Sequence, residues 1–232
     1  STGRELSQRL WVLTRGAAPI ATETIDDAAA MIWGMVQTVS VEVRQLRPAC
    51  IDLDNESDIQ QDVESVLGCL NARDSETHIA IRGDKRLVQR LVRVEPPNTV
   101  TKNSIRPDAS YLVTGGLGGV GVCVAKWLCE QGARSVHLVS RRDPDDELKD
   151  ELNQWAMKHH SEVRFHRADV SIRADVDRVI QGIESDGKPL AGLLHLAGAH
   201  RDGALVNLSW DDFLFTAQSK VSGALHLHET TQ

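Results

Sequence analysis

The apolar positions fall into two successive series of short blocks and amphipathic stretches. In the first series, Leu10–Thr14 (LWVLT) is a continuous block of buried-strand length, and from Ile25 to Ser40 apolar residues recur at helical spacing. Ala49–Leu53 (ACIDL) is a second strand block. The stretch from Ser57 to Leu70 reads as a helix, opened by Ser57-x-x-Gln60 in the pattern of a capping box. His78–Arg82 and Leu87–Val94 are strand-like. Strands and helices in alternation predict a parallel sheet flanked by helices.

The run from Glu95 to Asp108 (EPPNTVTKNSIRPD) breaks the order. Two adjacent prolines, a third at Pro107 and polar filler give it the character of a linker. The second series starts at Tyr111–Thr114 (YLVT), followed by a glycine-rich turn and a helix from about Gly118 to Gln131. Strands are expected at Val136–Ser140, Val163–Ala168 and Leu190–Leu196. Helices are expected at Asp145–Lys158, from a Ser171 cap to Ser185, and from Ser209-x-x-Asp212 towards Thr230. This order is that of a doubly wound nucleotide-binding fold. The expected division is 1–95, a linker at 96–109, and 110–232.

Composition excludes several classes. The 232 residues are 41% hydrophobic and 25% charged, which is globular, and no apolar run is long enough to span a bilayer. Residues 1–108 carry 13 Lys+Arg against 16 Asp+Glu, and 109–232 carry 13 against 17. Neither half is basic, which argues against a nucleic-acid or anionic-membrane partner. Cys50, Cys69, Cys123 and Cys129 form no C-x-x-C pair or zinc spacing and lie in apolar stretches. They read as reduced, buried thiols of a cytoplasmic protein. His159-His160 reads as surface, and His226-x-His228 puts two rings on different helix faces, so no metal site is expected.

The strongest chemical signal is Thr114-Gly115-Gly116-Leu117-Gly118-Gly119-Val120-Gly121. It contains G-x-G-x-x-G directly between an expected strand and an expected helix. A bare motif of this kind can be a structural turn. The context, with five glycines in seven positions, points to a pyrophosphate loop at a helix N-terminus. The second strand ends in Ser140-Arg141-Arg142, where an NAD site would place a carboxylate and a 2′-phosphate asks for arginine. Asp169 follows the third strand, either as an adenine-facing carboxylate or as an acid beside the Ser171 cap. Ala197 and Gly198 end the fourth strand with small residues against which a cofactor can lie. Lys220, taken by itself, is a lysine on an amphipathic helix.

Together TGGLGGVG, LVSRR, ADV, LLHLAGAHRDGAL and SKVSGALHLHE, in that order over Tyr111–Glu229, resemble the ketoreductase domain of modular polyketide synthases, within the short-chain dehydrogenase/reductase superfamily. The first half resembles the structural subdomain that precedes such domains, through RLWVLTRG (9–16), IWG (32–34), IDLD (51–54) and RLVR (90–93). The resemblance implies an α/β protein of two Rossmann-like, doubly wound units. The first is a degenerate structural subdomain incomplete at its start, and the second an NADP-binding unit truncated at its C-terminal end.

The resemblance further implies NADPH-dependent reduction of a β-ketoacyl group carried on an acyl carrier protein, among other synthase domains. Thr114 to Gly121 then match the pyrophosphate loop, and Ser140, Arg141 and Arg142 the 2′-phosphate contacts. Asp169 and Val170 match adenine contacts, and Ala197 and Gly198 the nicotinamide-side strand end. Lys220 matches the catalytic lysine. Where the family often has Leu-Asp-Asp, this chain has His200-Arg201-Asp202, which keeps only the last aspartate and weakens a stereochemical assignment. The family's serine, tyrosine and asparagine lie beyond the lysine, downstream of these 232 residues. The single tyrosine, Tyr111, stands at the wrong end of its strand. The chain alone is therefore expected to be inactive. The alternatives are a non-catalytic scaffold within a megasynthase and, more remotely, a free-standing reductase. The linker is also too short to hold an inserted enoylreductase.

Overall fold

The computed structural model describes residues 9–20, 24–95 and 105–232. Most of the expected linker, at 96–104, lies outside them. The chain divides into two compact units: Ser1–Pro97 with Ala204–Asn207, and Asn98–Gly203 with Leu208–Gln232. The return of 204–207 to the first unit was not legible in the sequence.

In the first unit, strands β1 (Trp11–Arg15), β2 (Ala49–Leu53) and β3 (His78–Arg82) run parallel, with helices α1 (Asp27–Glu42) and α2 (Ile59–Asn71) between them. The sheet order is β1-β2-β3-β4. Strand β2 is buried along its whole length, and its Ile51 and Leu53 join Cys69, Ile79 and Ile81 in the core. Strand β4 (Lys85–Val88) departs from the expectation in direction and extent, pairing antiparallel with β3 and ending before Gln89. Only Gly83 and Asp84 separate the two strands, too few for a parallel crossover. Gly83, at φ 58°, takes the first loop position of a tight hairpin.

The capping box also moves by one residue. Asp58 accepts from the Gln61 N–H while Gln61 accepts from the Asp58 N–H. Ser57 is drawn away, its hydroxyl 2.9 Å from Asp54 O and 2.5 Å from Asp62 Oδ1.

The second unit is a fully parallel sheet of order β7-β6-β5-β8, made of β5 (Ser110–Thr114), β6 (Ser135–Ser140), β7 (Glu162–Arg167) and β8 (Leu190–His195). Alternation along β5 sends Tyr111 and Val113 to one face and Leu112 to the other. On the first face they meet α3 (Gly119–Glu130) and α4 (Asp146–Lys158) through Ala125, Leu128, Leu152 and Ala156. On the second face lie α5 (Arg173–Ser185) and α7 (Gly223–Thr230), through Val176, Val179, Ile180 and Leu227. Helices on both faces make the unit doubly wound, with the switch in winding direction between β5 and β8.

Three expectations are corrected here. Ser171 does not cap α5: the N-cap is Ile172 without a side-chain bond, because the Ser171 hydroxyl donates to Asp169 Oδ1. The last helical stretch is not continuous. Ser209 opens α6 (Trp210–Ala217) with the expected Asp212 capping box, and a π-helical turn at Gln218–Ser222 precedes α7. Finally, Cys50, Cys69 and Cys129 are buried and unpaired, whereas Cys123 is exposed. Among the described residues no helix is long and apolar enough to cross a membrane.

Candidate functional site

The carboxyl ends of the second unit's strands enclose a crevice of about 550 Å³. Its floor is the loop after β5. Gly115 has φ 66°, and a Cβ there would lie 2.7 Å from the Leu196 carbonyl carbon, so glycine alone lets the loop pass under the end of β8. A Cβ on Gly121 would lie 2.4 Å from Gly115 O, which is how the first turn of α3 closes on the loop. Gly118, the N-cap of α3, supplies no side-chain bond to the helix amides.

Gly115, Leu117 and Gly118 line the crevice, whereas Gly116, Gly119, Val120 and Gly121 do not. Gly116 packs under Leu138, and Val120 is exposed. These residues shape the loop from behind.

One wall is the end of β6. Ser140, Arg141 and Arg142 all line it, and among the described residues neither arginine takes part in an ion pair. Ala168, Asp169, Val170 and Ser171 form the next wall. Asp169 faces the crevice, and its Oδ1 accepts from the Ser171 N–H and hydroxyl. Its own N–H donates to Asp175, which, with Arg178, holds the Asp175 carboxyl below the usual range.

The opposite wall is Leu196, Ala197, Gly198 and Ala199, with Phe215, Gln218 and Ser219 above. Thr114 lies fully buried beneath it. Its Oγ1 accepts from the Leu196 and Ala197 N–H groups at 3.2 Å each. Lys220 sits in the π-helical turn, its Cε 3.6 Å from where a Cβ on Gly198 would stand. The structure thus brings together the glycine loop, the arginine pair, Asp169, Val170, Ala197, Gly198 and Lys220. Sequence reasoning passed over Leu196, Ala199, Phe215, Gln218 and Ser219, and gave no role to His195. Their signal was position, directly after a strand end or beside the lysine.

Tyr111 is elsewhere. It is buried near the start of β5, where its hydroxyl accepts from the Arg106 N–H at 2.7 Å.

Comparison with known proteins finds relatives of both units. Residues 109–232 match the family model described as "KR domain". Residues 2–91 match "Polyketide synthase extender module SpnB, Rossmann fold domain". A phenolphthiocerol/phthiocerol polyketide synthase of Mycobacterium tuberculosis is 35% identical over 231 residues, covering 97% of this chain and 12% of the relative. A solved structure of A-type ketoreductases from a modular polyketide synthase superposes with a TM-score of 0.84 at 31% identity, over 97% of this chain and 48% of that one. PlmKR1, the ketoreductase from the first module of phoslactomycin biosynthesis in Streptomyces sp. HK803, gives 0.82 at 27% identity, over 96% and 52%. The chain thus spans about half of each of these solved structures and 12% of the curated relative.

Proposed function

The chain belongs to the KR-domain family, the ketoreductases of modular polyketide synthases, and on that premise we propose that its second unit binds NADPH to reduce a β-ketoacyl group carried on the phosphopantetheine arm of an acyl carrier protein. The crevice is the observation that carries this reading. Its volume of about 550 Å³ suits a small-molecule or cofactor site.

In this reading the backbone of Gly115 to Gly118 and the uncapped N-terminus of α3 hold the pyrophosphate. Arg141 and Arg142 take the 2′-phosphate with Ser140, and Asp169 and Val170 border the adenine. Ala197 and Gly198 let the nicotinamide lie against backbone. Bound NADPH supplies the hydride. Lys220 holds the ribose, and its charge lowers the pKa of a tyrosine acid placed beside it. That tyrosine is not Tyr111. In this reading the structural domain spans residues 1–95, the linker 96–109 and the NADPH-binding domain 110–232, with other synthase domains around them.

The first unit serves as a cofactor-free structural partner. The amides of Ala17 and Ala18, which follow β1, are already taken by the Asp52 carboxylate. The buried, unpaired cysteines fit a cytoplasmic setting.

The test is a titration of the 232-residue chain with NADPH, read by the cofactor's own fluorescence. Saturable binding of one NADPH per chain, competed by NADP⁺, is expected. No saturable change would instead identify a non-catalytic scaffold.

A further inference from the structure

We infer that His195 is a positioning residue, which pins the Lys220-bearing π-helical turn to the end of β8 through an Nε2-protonated imidazole. The inference rests on the reading above only in taking Lys220 to face the cofactor.

The donor and acceptor inventory determines the tautomer. Thr114 Oγ1 already accepts two backbone N–H groups, from Leu196 and Ala197, so its one proton is left to donate. His195 Nδ1 stands 2.7 Å away and accepts it. The imidazole proton then sits on Nε2, which donates to the Ser219 carbonyl at 3.0 Å. The relay runs from the end of the glycine-loop strand, through β8, to the residue preceding Lys220.

The turn itself is built around this contact. Within it the Gly223 N–H reaches back to Gln218 O, one residue further than in an α-helix. The Ser219 hydroxyl accepts the Ala199 N–H at 3.2 Å. A Cβ on Gly223 would lie 2.8 Å from Val170 Cγ2 and 3.4 Å from His195 Cε1, so glycine lets the helix settle onto the ring. Lys220 is held over Gly198 by these neighbours, with His195 at their centre.

The experiment uses the 232-residue chain. Imidazole ¹⁵N chemical shifts should show His195 as the Nε2–H tautomer; an Nδ1–H tautomer overturns the inference whatever else is seen. Lys220, itself exposed, is followed by acetylation and mass spectrometry relative to the other exposed lysines, with and without NADPH. His195→Phe keeps a planar aromatic ring and loses both bonds, while His195→Gln can still donate to Ser219 O. His195→Phe should raise the Lys220 rate without NADPH and reduce its protection by NADPH about tenfold, the scale of one lost hydrogen bond. His195→Gln should restore most of both. If His195→Phe leaves the rate and the protection unchanged, the pin is absent. If wild-type Lys220 gains no protection from NADPH but His195→Phe still alters its rate, the pin stands and the cofactor reading of Lys220 fails. Should His195→Phe not fold, the wild-type tautomer and Thr114→Val, which removes the donor to Nδ1, decide the matter.

Discussion

His137 Nδ1 lies 2.9 Å from His166 Nε2, with the two rings stacked at 5.2 Å between adjacent strands β6 and β7. His137 is wholly buried, and its Nε2 is 3.0 Å from the Ser135 hydroxyl. Burial, then His166 and Arg164, push its pKa down to about 4. Burial and Arg164 also lower His166. Asp186 and Glu162 oppose this for His137 without outweighing it, because both are already paired with Arg164.

Both imidazoles are therefore neutral in the folded state where the unfolded chain would begin to protonate them. The folded pKa is the lower, so the unfolded chain binds more protons as the pH falls. Stability is full above about pH 6.5 and declines from there towards about pH 4, by about 2–3 kcal/mol for His137. Urea midpoints across this range should fall with pH in the wild type and stay flatter in His137→Gln. Parallel slopes would show that the pair does not drive the acid sensitivity.

A second prediction concerns Asp52, fully buried in the first unit. Its Oδ1 accepts from the Ala17 N–H and the Thr14 hydroxyl at 2.8 Å each, and its Oδ2 from Ala18 N–H and Arg82. Burial raises its pKa, but the four donors together outweigh burial and hold the carboxyl below its usual range. Its contribution is thus present above the ordinary carboxylate pKa and is lost as the pH falls below it. Asp52→Asn removes a buried charge and turns the Oδ2 acceptor of the Ala18 N–H and Arg82 into a donor, and should cost about 3–5 kcal/mol. The loss should appear in the unfolding of the first unit, monitored by hydrogen exchange at β2. Unchanged protection of Ile51 would refute it.

The arginine pair gives a third. A charge-assisted contact to phosphate contributes roughly 1.5–3 kcal/mol. Arg141→Ala should therefore weaken NADPH by about ten- to a hundredfold and leave NADH nearly unchanged. Equal losses for the two cofactors would remove Arg141 from the 2′-phosphate site.

Two glycines of the loop make opposite predictions. A Cβ on Gly121 would collide with backbone at Gly115 O, 2.4 Å away, whereas one on Gly119 meets nothing. Gly121→Ala should distort the loop and lower NADPH affinity at least about tenfold, at a stability cost of about 1–3 kcal/mol. Gly119→Ala, at the first position of α3, should leave the melting temperature unchanged or slightly raised. A melting temperature unaltered in Gly121→Ala would mean that the loop yields more readily than its packing indicates.

How much of this was legible in the sequence follows from what each feature depends on. Strand β2 falls at Ala49–Leu53 as expected, because an apolar block is buried wherever it goes. The glycine loop was legible because its spacing is local. The Ser57 and Ser171 caps were misplaced because nearby aspartates, Asp54, Asp62 and Asp169, compete for the same hydroxyls. The antiparallel β4 was missed because the hairpin signal is carried by one Gly-Asp pair. The His195 relay could not be read at all. It joins Thr114 to a residue 81 positions away, and only the parallel register of β5 and β8 places Thr114 beside His195.

The last prediction concerns the proton. Hydride transfer to a ketone leaves charge on its oxygen, which needs a donor within about 3 Å. The tyrosine of these 232 residues is unsuited by its position. Tyr111 is buried near the start of β5, three residues before Thr114 and about 10 Å along the strand from the crevice. Losing general acid catalysis removes a factor of about 10²–10⁴. The 232-residue chain by itself should therefore bind NADPH while consuming it with a β-ketoacyl thioester at least about a hundredfold more slowly than a ketoreductase of the same family that has a tyrosine in its crevice. The measurement is NADPH oxidation by this chain beside such an enzyme, with Tyr111→Phe and Lys220→Ala as variants. Tyr111→Phe should change stability and leave the residual rate alone. Turnover comparable to that enzyme, abolished by Lys220→Ala, would show that a proton donor other than Tyr111 lies within the crevice.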